Sequence, residues 1–253
     1  AAVEDAGYTE PTAIQAQAIP SILMMRDLIG IAQTGTGKTA SFVLPMIDVM
    51  AAGRRRALMP RSLILEPTRE LAAQVAEHFE KYGKNHDLKM ALLIGGVQMG
   101  DQLKTLDEGV DVLIATPGRL MDLFERGKIL LNGCELLVID EADRMLDIGF
   151  RPQIERILRK CPRDRQTLLL SATLPPTVQR LAESYMVDPL VIDCCQNEMS
   201  VETIEQHYFT IPQDRKQDLL VALLKREKPE QAIVFCRTKR GTDRLYRAIS
   251  REY

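Results

Sequence analysis

The chain has 253 residues, 45% of them hydrophobic and 27% charged, the proportions of a water-compatible protein with a packed core. Its net charge of −2 excludes bulk attraction to a polyanion, so any nucleic-acid contact has to be local. No apolar run approaches bilayer-spanning length, and the opening Ala1-Ala2-Val3-Glu4-Asp5 lacks the basic-then-apolar shape of a secretory signal, so a cytoplasmic protein without membrane contact is expected.

From about Asp27 to Asp193 short apolar runs end in polar or glycine-containing turns and are followed by helical patterns. The runs are 28–31, 62–65, 90–94, 110–115, 136–139, 167–170 and 190–192, with helical stretches such as 69–82, 118–125 and 152–160 between them. Runs apolar on both faces, alternating with helices, predict an α/β domain with a mostly parallel sheet flanked by helices. In such sheets ligands bind beyond the carboxyl ends of the strands, so chemically suggestive residues should follow the runs. Six sets do: Gln33 to Thr39, Pro67 to Glu70, Gly95-Gly96, Thr116 to Arg119, Asp140 to Asp143, and Ser171 to Thr173.

Residues 194–202 are polar and aperiodic and read as a linker between residues 1–193 and 203–253. Beyond it, 205–211 alternates like a strand, 215–227 like a helix, 232–236 reads as a buried strand, and 239–253 is helical. The five cysteines, Cys134, Cys161, Cys194, Cys195 and Cys236, are odd in number and without CxxC spacing. Reduced thiols packed as small hydrophobes are expected, rather than a disulfide frame or a zinc site.

Ala32-Gln33-Thr34-Gly35-Thr36-Gly37-Lys38-Thr39 has the form of a phosphate-binding loop between strand and helix, with Ala32 where the general pattern has glycine. Backbone N–H groups of Thr34, Gly35, Thr36 and Gly37 would turn toward phosphate oxygens, and the helix N-terminus adds positive potential. Lys38 would reach the β- and γ-phosphates, and Thr39 would hold Mg²⁺. The strand 136–139 ends in Asp140-Glu141; Asp140 would bind Mg²⁺, and Glu141 would orient and deprotonate the attacking water.

With Asp140-Glu141-Ala142-Asp143 in place, the chain resembles the DEAD-box ATP-dependent RNA helicases over nearly its whole length. The resemblance implies a RecA-like domain in residues 1–193 and a truncated second RecA-like segment in 203–253. It also implies ATP and Mg²⁺ as ligands and RNA as partner. Gly7-Tyr8-Thr9-Glu10-Pro11-Thr12-Ala13-Ile14-Gln15 is similar to the family's Q motif, with Gln15 reading the adenine edge and Tyr8 also among the nucleotide contacts. Taken without the family, this segment is a helix start capped by Thr12.

The RNA contacts implied are Pro67, Thr68 and Arg69, then Gly95 and Gly96, then Thr116, Pro117, Gly118 and Arg119. Thr116 and Pro117 equally suit an N-cap and a first helical position. Ser171 and Thr173, with Asp143, resemble the elements that couple hydrolysis to unwinding. The family's aromatic residue upstream of the Q motif is not within this sequence, which implies weakened adenine binding. Residues 233–238 look like the start of the second domain, whose later arginine fingers the chain does not contain. The expectation is therefore a chain that binds ATP but hydrolyses it poorly and does not unwind RNA, as part of a longer parent enzyme, with oligomeric state open. A basic cluster, Arg54 to Arg56 with Arg61, reads as a solvated loop rather than an extra RNA contact, and His78, His86 and His207 lie near no motif. Two other readings compete: a non-catalytic, ATP-gated RNA- or protein-binding platform, and a P-loop small-molecule kinase. Gln15 and the three RNA motifs argue against the kinase.

Overall fold

The computed structural model describes residues 1–53, 59–195 and 205–250. The chain divides into two compact units, Ala1–Met199 and Ser200–Tyr253. In chain order the first unit holds α1 (Ala2–Asp5), α2 (Ala13–Leu23), β1 (Leu28–Ile31), α3 (Lys38–Ala52), β2 (Ser62–Leu65) and α4 (Arg69–Gly83). These are followed by β3 (Met90–Leu93), α5 (Met99–Asp107), β4 (Val112–Ala115), α6 (Pro117–Glu125), β5 (Leu136–Ile139) and α7 (Ala142–Ile148). α8 (Arg151–Lys160), β6 (Gln166–Ser171), α9 (Pro176–Tyr185) and β7 (Leu190–Asp193) complete it.

The strands form one sheet in the order β3-β4-β2-β5-β6-β1-β7, and all six pairings are parallel. β1, β2, β4, β5 and β6 are buried along their whole length, which is why each appears in the sequence as an unbroken apolar run. The edge strands β3 and β7 are only partly buried. Successive residues point to opposite faces. Leu63 and Leu65 pack with Leu120, Met145, Ile157 and Leu181 from α6 to α9, whereas Ile64 packs with Ile22, Phe42, Met46 and Phe79 from α2 to α4. All the strands run the same way, so the six sets of polar residues that follow them lie along a single edge of the sheet.

Arg61 departs from the expected solvated basic loop. It is among the largest fully buried side chains, its Nη2 donating to Met50 O (2.6 Å) and pairing with Asp111 (3.4 Å). Asp111, fifty residues away in sequence, makes that burial tolerable. Arg54, Arg55 and Arg56 lie outside the described residues. Cys134, Cys161 and Cys236 are free thiols, the first two buried. Among the described residues no helix is long and apolar enough to cross a membrane.

The second unit contains a 3₁₀ turn (Gln213–Arg215), α10 (Lys216–Glu227) and α11 (Lys239–Ile249). The two strands expected there do not form: 205–211 and 232–236 carry no ladder. Phe235 is 92% exposed and Ile233 74% exposed, so the second run is not buried either. An apolar run becomes a strand only when a neighbouring strand takes up its N–H and C=O groups, and the described residues of this unit supply none.

Asp27, only 9% exposed, ties the start of β1 to two other segments: its carboxylate accepts from Thr167 N (2.8 Å) and Val187 N (2.7 Å). Asp27→Ala leaves the buried Thr167 N–H and the part-buried Val187 N–H without their acceptor. Urea unfolding of the chain should show the first unit destabilised by about 2–4 kcal/mol.

Candidate functional site

The loop after β1 wraps the mouth of a cavity of about 480 Å³. Thr34, Gly35, Gly37, Lys38 and Thr39 line it, whereas Thr36 Oγ1 donates to Gln33 O (2.7 Å) and closes the loop on itself. Gly37 has φ +81°, and a Cβ there would overlap Gln15 Nε2 and Thr12 Oγ1, so the loop can approach α2 only through a glycine. Gln15 makes that approach a bond: its Nε2 donates to Gly37 O (3.1 Å) and its Oε1 accepts from Thr12 N (3.0 Å). The residue therefore caps α2 and holds the loop, using two of the four hydrogen-bonding positions of an amide.

β5 delivers the carboxylates. Asp140 N donates to Leu65 O (3.1 Å), extending the ladder one residue past the strand, and Asp140 Oδ1 accepts from Glu141 N (2.9 Å). Glu141 sits at φ +53°, a left-handed conformation that is costly for a residue with a side chain. Lys38 Nζ lies 2.7 Å from Glu141 Oε1 and 3.0 Å from Asp140 Oδ1. Burial by itself would lower the lysine's proton affinity. The two carboxylates outweigh it and hold the ammonium above its ordinary value.

Glu66 lines the cavity without having been singled out in the sequence, and His78, expected to lie near no motif, lines it too. Glu66, one residue past β2, is fully buried and neither carboxylate oxygen has a hydrogen-bond partner. Burial, and then the neighbouring Asp140 carboxylate, push its proton affinity well up. Its signal was available: like Asp140, it is a carboxylate that ends a buried apolar run. His78 lines the cavity from α4 and stacks 5.7 Å from Tyr82, whose hydroxyl bonds to that of Tyr8 (2.8 Å). Leu71, Val75, His78 and Tyr82 form one stripe at helical spacing, which a projection of 69–82 onto a helix would have displayed.

A second group gathers along the same edge. Thr68 caps α4 through Leu71 N (3.3 Å), and Thr116 and Pro117 start α6. Gly96, at φ +77°, lies against the Arg69 guanidinium. Arg119 Nη2 donates to Val97 O (3.5 Å), while its Nη1 has no acceptor. The turns after β2, β3 and β4 are thus brought together, with Arg69, Gly96 and Gly118 exposed and Pro67 and Pro117 buried. Asp143 is the hub of a third group: its N–H donates to Ser171 Oγ (3.2 Å), and its Oδ2 accepts from Thr173 Oγ1 (2.9 Å) and Thr173 N (3.2 Å).

Among the described residues no three of His, Cys, Asp or Glu are arranged to hold a metal unaided. Thr39 and the buried Asp140 nevertheless fit a magnesium ion, which takes one or two protein oxygens and draws the rest from phosphates and water.

A phosphate loop and a carboxylate pair at the C-terminal edge of a parallel sheet define a P-loop domain of RecA-like architecture. The chain belongs to the DEAD/DEAH box helicase family, whose model matches residues 12–181. It is 41% identical over 249 residues to the DEAD-box ATP-dependent RNA helicase CshA of Bacillus subtilis, covering 98% of this chain and 50% of that protein. CshA of Streptococcus pneumoniae is 40% identical, with 98% and 47% covered. The chain therefore spans about half the length of the curated relatives it matches. Among solved structures, a DEAD box protein from the hyperthermophile Methanococcus jannaschii superposes with TM-score 0.72 at 36% identity, over 99% of this chain and 66% of that one. A hypothetical ATP-dependent RNA helicase from Sulfolobus tokodaii gives TM-score 0.70 at 34% identity, over 77% and 56%.

Because the folded-state proton affinity of Lys38 is raised, its contribution to stability is complete below the unfolded lysine value of about 10.4. It is lost as pH rises through the folded value. Urea unfolding should find the stability advantage of wild type over Lys38→Met shrinking steadily from pH 10 to 12.

Proposed function

We propose that the chain is the ATP-binding part of an ATP-dependent RNA helicase, and that it couples nucleotide state to RNA bound along the same sheet edge. The observation that carries this is the Lys38 ammonium held by Asp140 and Glu141 at the head of a cavity whose other end meets Gln15 and Tyr8. A triphosphate entering that cavity offers Lys38 a new set of anionic partners. Backbone N–H groups of the loop from Thr34 to Gly37 and the N-terminus of α3 would take the remaining phosphate charge. Gln15 retains one N–H and one acceptor position for an adenine edge.

Asp140 and Thr39 would hold Mg²⁺, which would supply positive charge to offset that of the phosphates. Released from Lys38, Glu141 is free to orient a water and accept its proton. The exposed Arg69, the N-termini of α4 and α6, and the unpartnered Arg119 Nη1 suit a sugar–phosphate backbone, whose contacts carry position rather than sequence. Asp143, bonded to Ser171 and Thr173, would pass a displacement of Glu141 to the rest of that edge. We also read 203–253 as the opening of a second RecA-like domain. Its exposed 232–236 run would find ladder partners in the remainder of that domain.

Hydrolysis by this 253-residue chain should be slow, because an arginine finger contributes roughly 10³–10⁵ in rate in related phosphoryl transfer. ATP binding should be measurable by calorimetry and weakened at least about tenfold in Lys38→Ala, the cost of removing hydrogen bonds to a charged group. In single-turnover assays Glu141→Gln should bind ATP normally and lower hydrolysis by about 10²-fold or more. Binding without any turnover in the parent enzyme would favour the ATP-gated platform, and vigorous RNA unwinding by this chain alone would overturn the role given to the second domain.

A further inference from the structure

Glu66 is the buried group that the proposed mechanism leaves unused. It follows β2 directly, and β2 pairs with β5 so that Leu65 stands opposite Ile139. One residue further, Glu66 and Asp140 stand opposite each other, and both backbone N–H groups remain in ladder-like bonds, to Ala115 O (3.0 Å) and Leu65 O (3.1 Å). Strand alternation turns both side chains to the face covered by α3, where Lys38 and Thr39 begin the helix. Glu66 lines the same cavity as these residues, yet it is fully buried and both its oxygens lack a donor.

Glu66 and Asp140 face each other, and no other side chain donates to the oxygens of Glu66. Three carboxyl groups (Glu66, Asp140 and Glu141) gather around one ammonium at the cavity. When Lys38 turns to a triphosphate, they lose that partner. A bare carboxylate trio does not form a direct chelate among the described residues. The arrangement instead suits a small divalent cation that keeps its waters, since those waters are donors.

Resting on the ATP reading above, we propose that Glu66 belongs to the divalent-cation site, accepting hydrogen bonds from the water shell of the magnesium ion that Asp140 and Thr39 hold. Asp140 would hold the ion and Glu66 would accept from its waters, so the effect of Glu66 should appear in the linkage between cation and nucleotide.

The test compares the affinity of the 253-residue chain for a non-hydrolysable ATP analogue in magnesium chloride and in EDTA, for wild type, Glu66→Gln and Glu66→Ala. The ratio of the two affinities is the cation–nucleotide coupling. It should fall about tenfold in both variants, the lower end of the loss seen when groups behind metal ligands are removed. The affinity in EDTA should stay the same or tighten, because a negative charge near the phosphates is gone. Glu66→Gln should melt at or above the wild-type temperature without nucleotide, since it keeps the side-chain volume and removes a carboxyl group without a donor. An unchanged ratio overturns the inference and leaves the ATP reading intact. So does a lowered melting temperature of Glu66→Gln, which would identify Glu66 as a protonated acid bonded into the core. Absence of analogue binding by wild type in either condition overturns both.

Discussion

One buried lysine between two carboxylates organises the first unit's functional edge. Lys38 is 5% exposed, and an ammonium in that position persists only because Asp140 and Glu141 surround it. The pairing is demanding in space. β6 separates β1 from β5, so the loop after β1 and the end of β5 lie two strand spacings apart, roughly 10 Å. A long lysine stem bridges that gap from the first turn of α3, and the loop is held at the right height by Gln15 and the close contact at Gly37. Without the sheet the three charges would disperse into water. Without the charges, the sheet edge would have no reason to tolerate a left-handed Glu141.

The remaining polar groups of that edge are fixed by neighbours of these same strands. β2 borders β5 on one side and β4 on the other, so the turn carrying Arg69 stands between the carboxylates and the turns after β3 and β4. Arg69 abuts Gly96, and Arg119 reaches Val97, which makes the three turns one surface rather than three. On the other side α7 begins at Glu141, and two residues later Asp143 is bonded to Ser171 and Thr173 at the end of β6. Glu141 and Asp143 thus stand two residues apart, one bonded to Lys38 and the other tied to the end of β6.

Much of this was legible because strands buried on both faces leave unbroken apolar runs. The bounds of β1, β2 and β5 are those read from 28–31, 62–65 and 136–139. What escaped reading depends on who the neighbour is. The run 232–236 is as apolar as β1, yet strand formation needs a ladder, and a ladder is a property of two segments. Arg61 looked like part of a basic loop because its sequence neighbours are arginines, whereas Asp111 determines its burial. Glu66 resembles the start of a loop until the β2–β5 register sets it opposite Asp140. His78 has no motif around it and joins the cavity only because α4 packs along it. Sheet order, which decides Arg61 and Glu66, is not encoded in any local pattern.

Three positions that share the cavity violate local preference. Glu141 in the left-handed region costs about 1–2 kcal/mol relative to an ordinary conformation. Gly37 gives up backbone entropy to permit a close contact, and Glu66 buries two acceptors without a donor. An ordinary conformation at 141 and an apolar residue at 66 would avoid the first and last of these costs. They persist because the sheet, with a full apolar layer on each face, tolerates them. Strain held at a site and offset by a core elsewhere is the arrangement expected when the missing partners arrive with a ligand. Here the missing partners are donors for Glu66 and negative charge for the loop. A polyphosphate accompanied by a hydrated cation would bring both together.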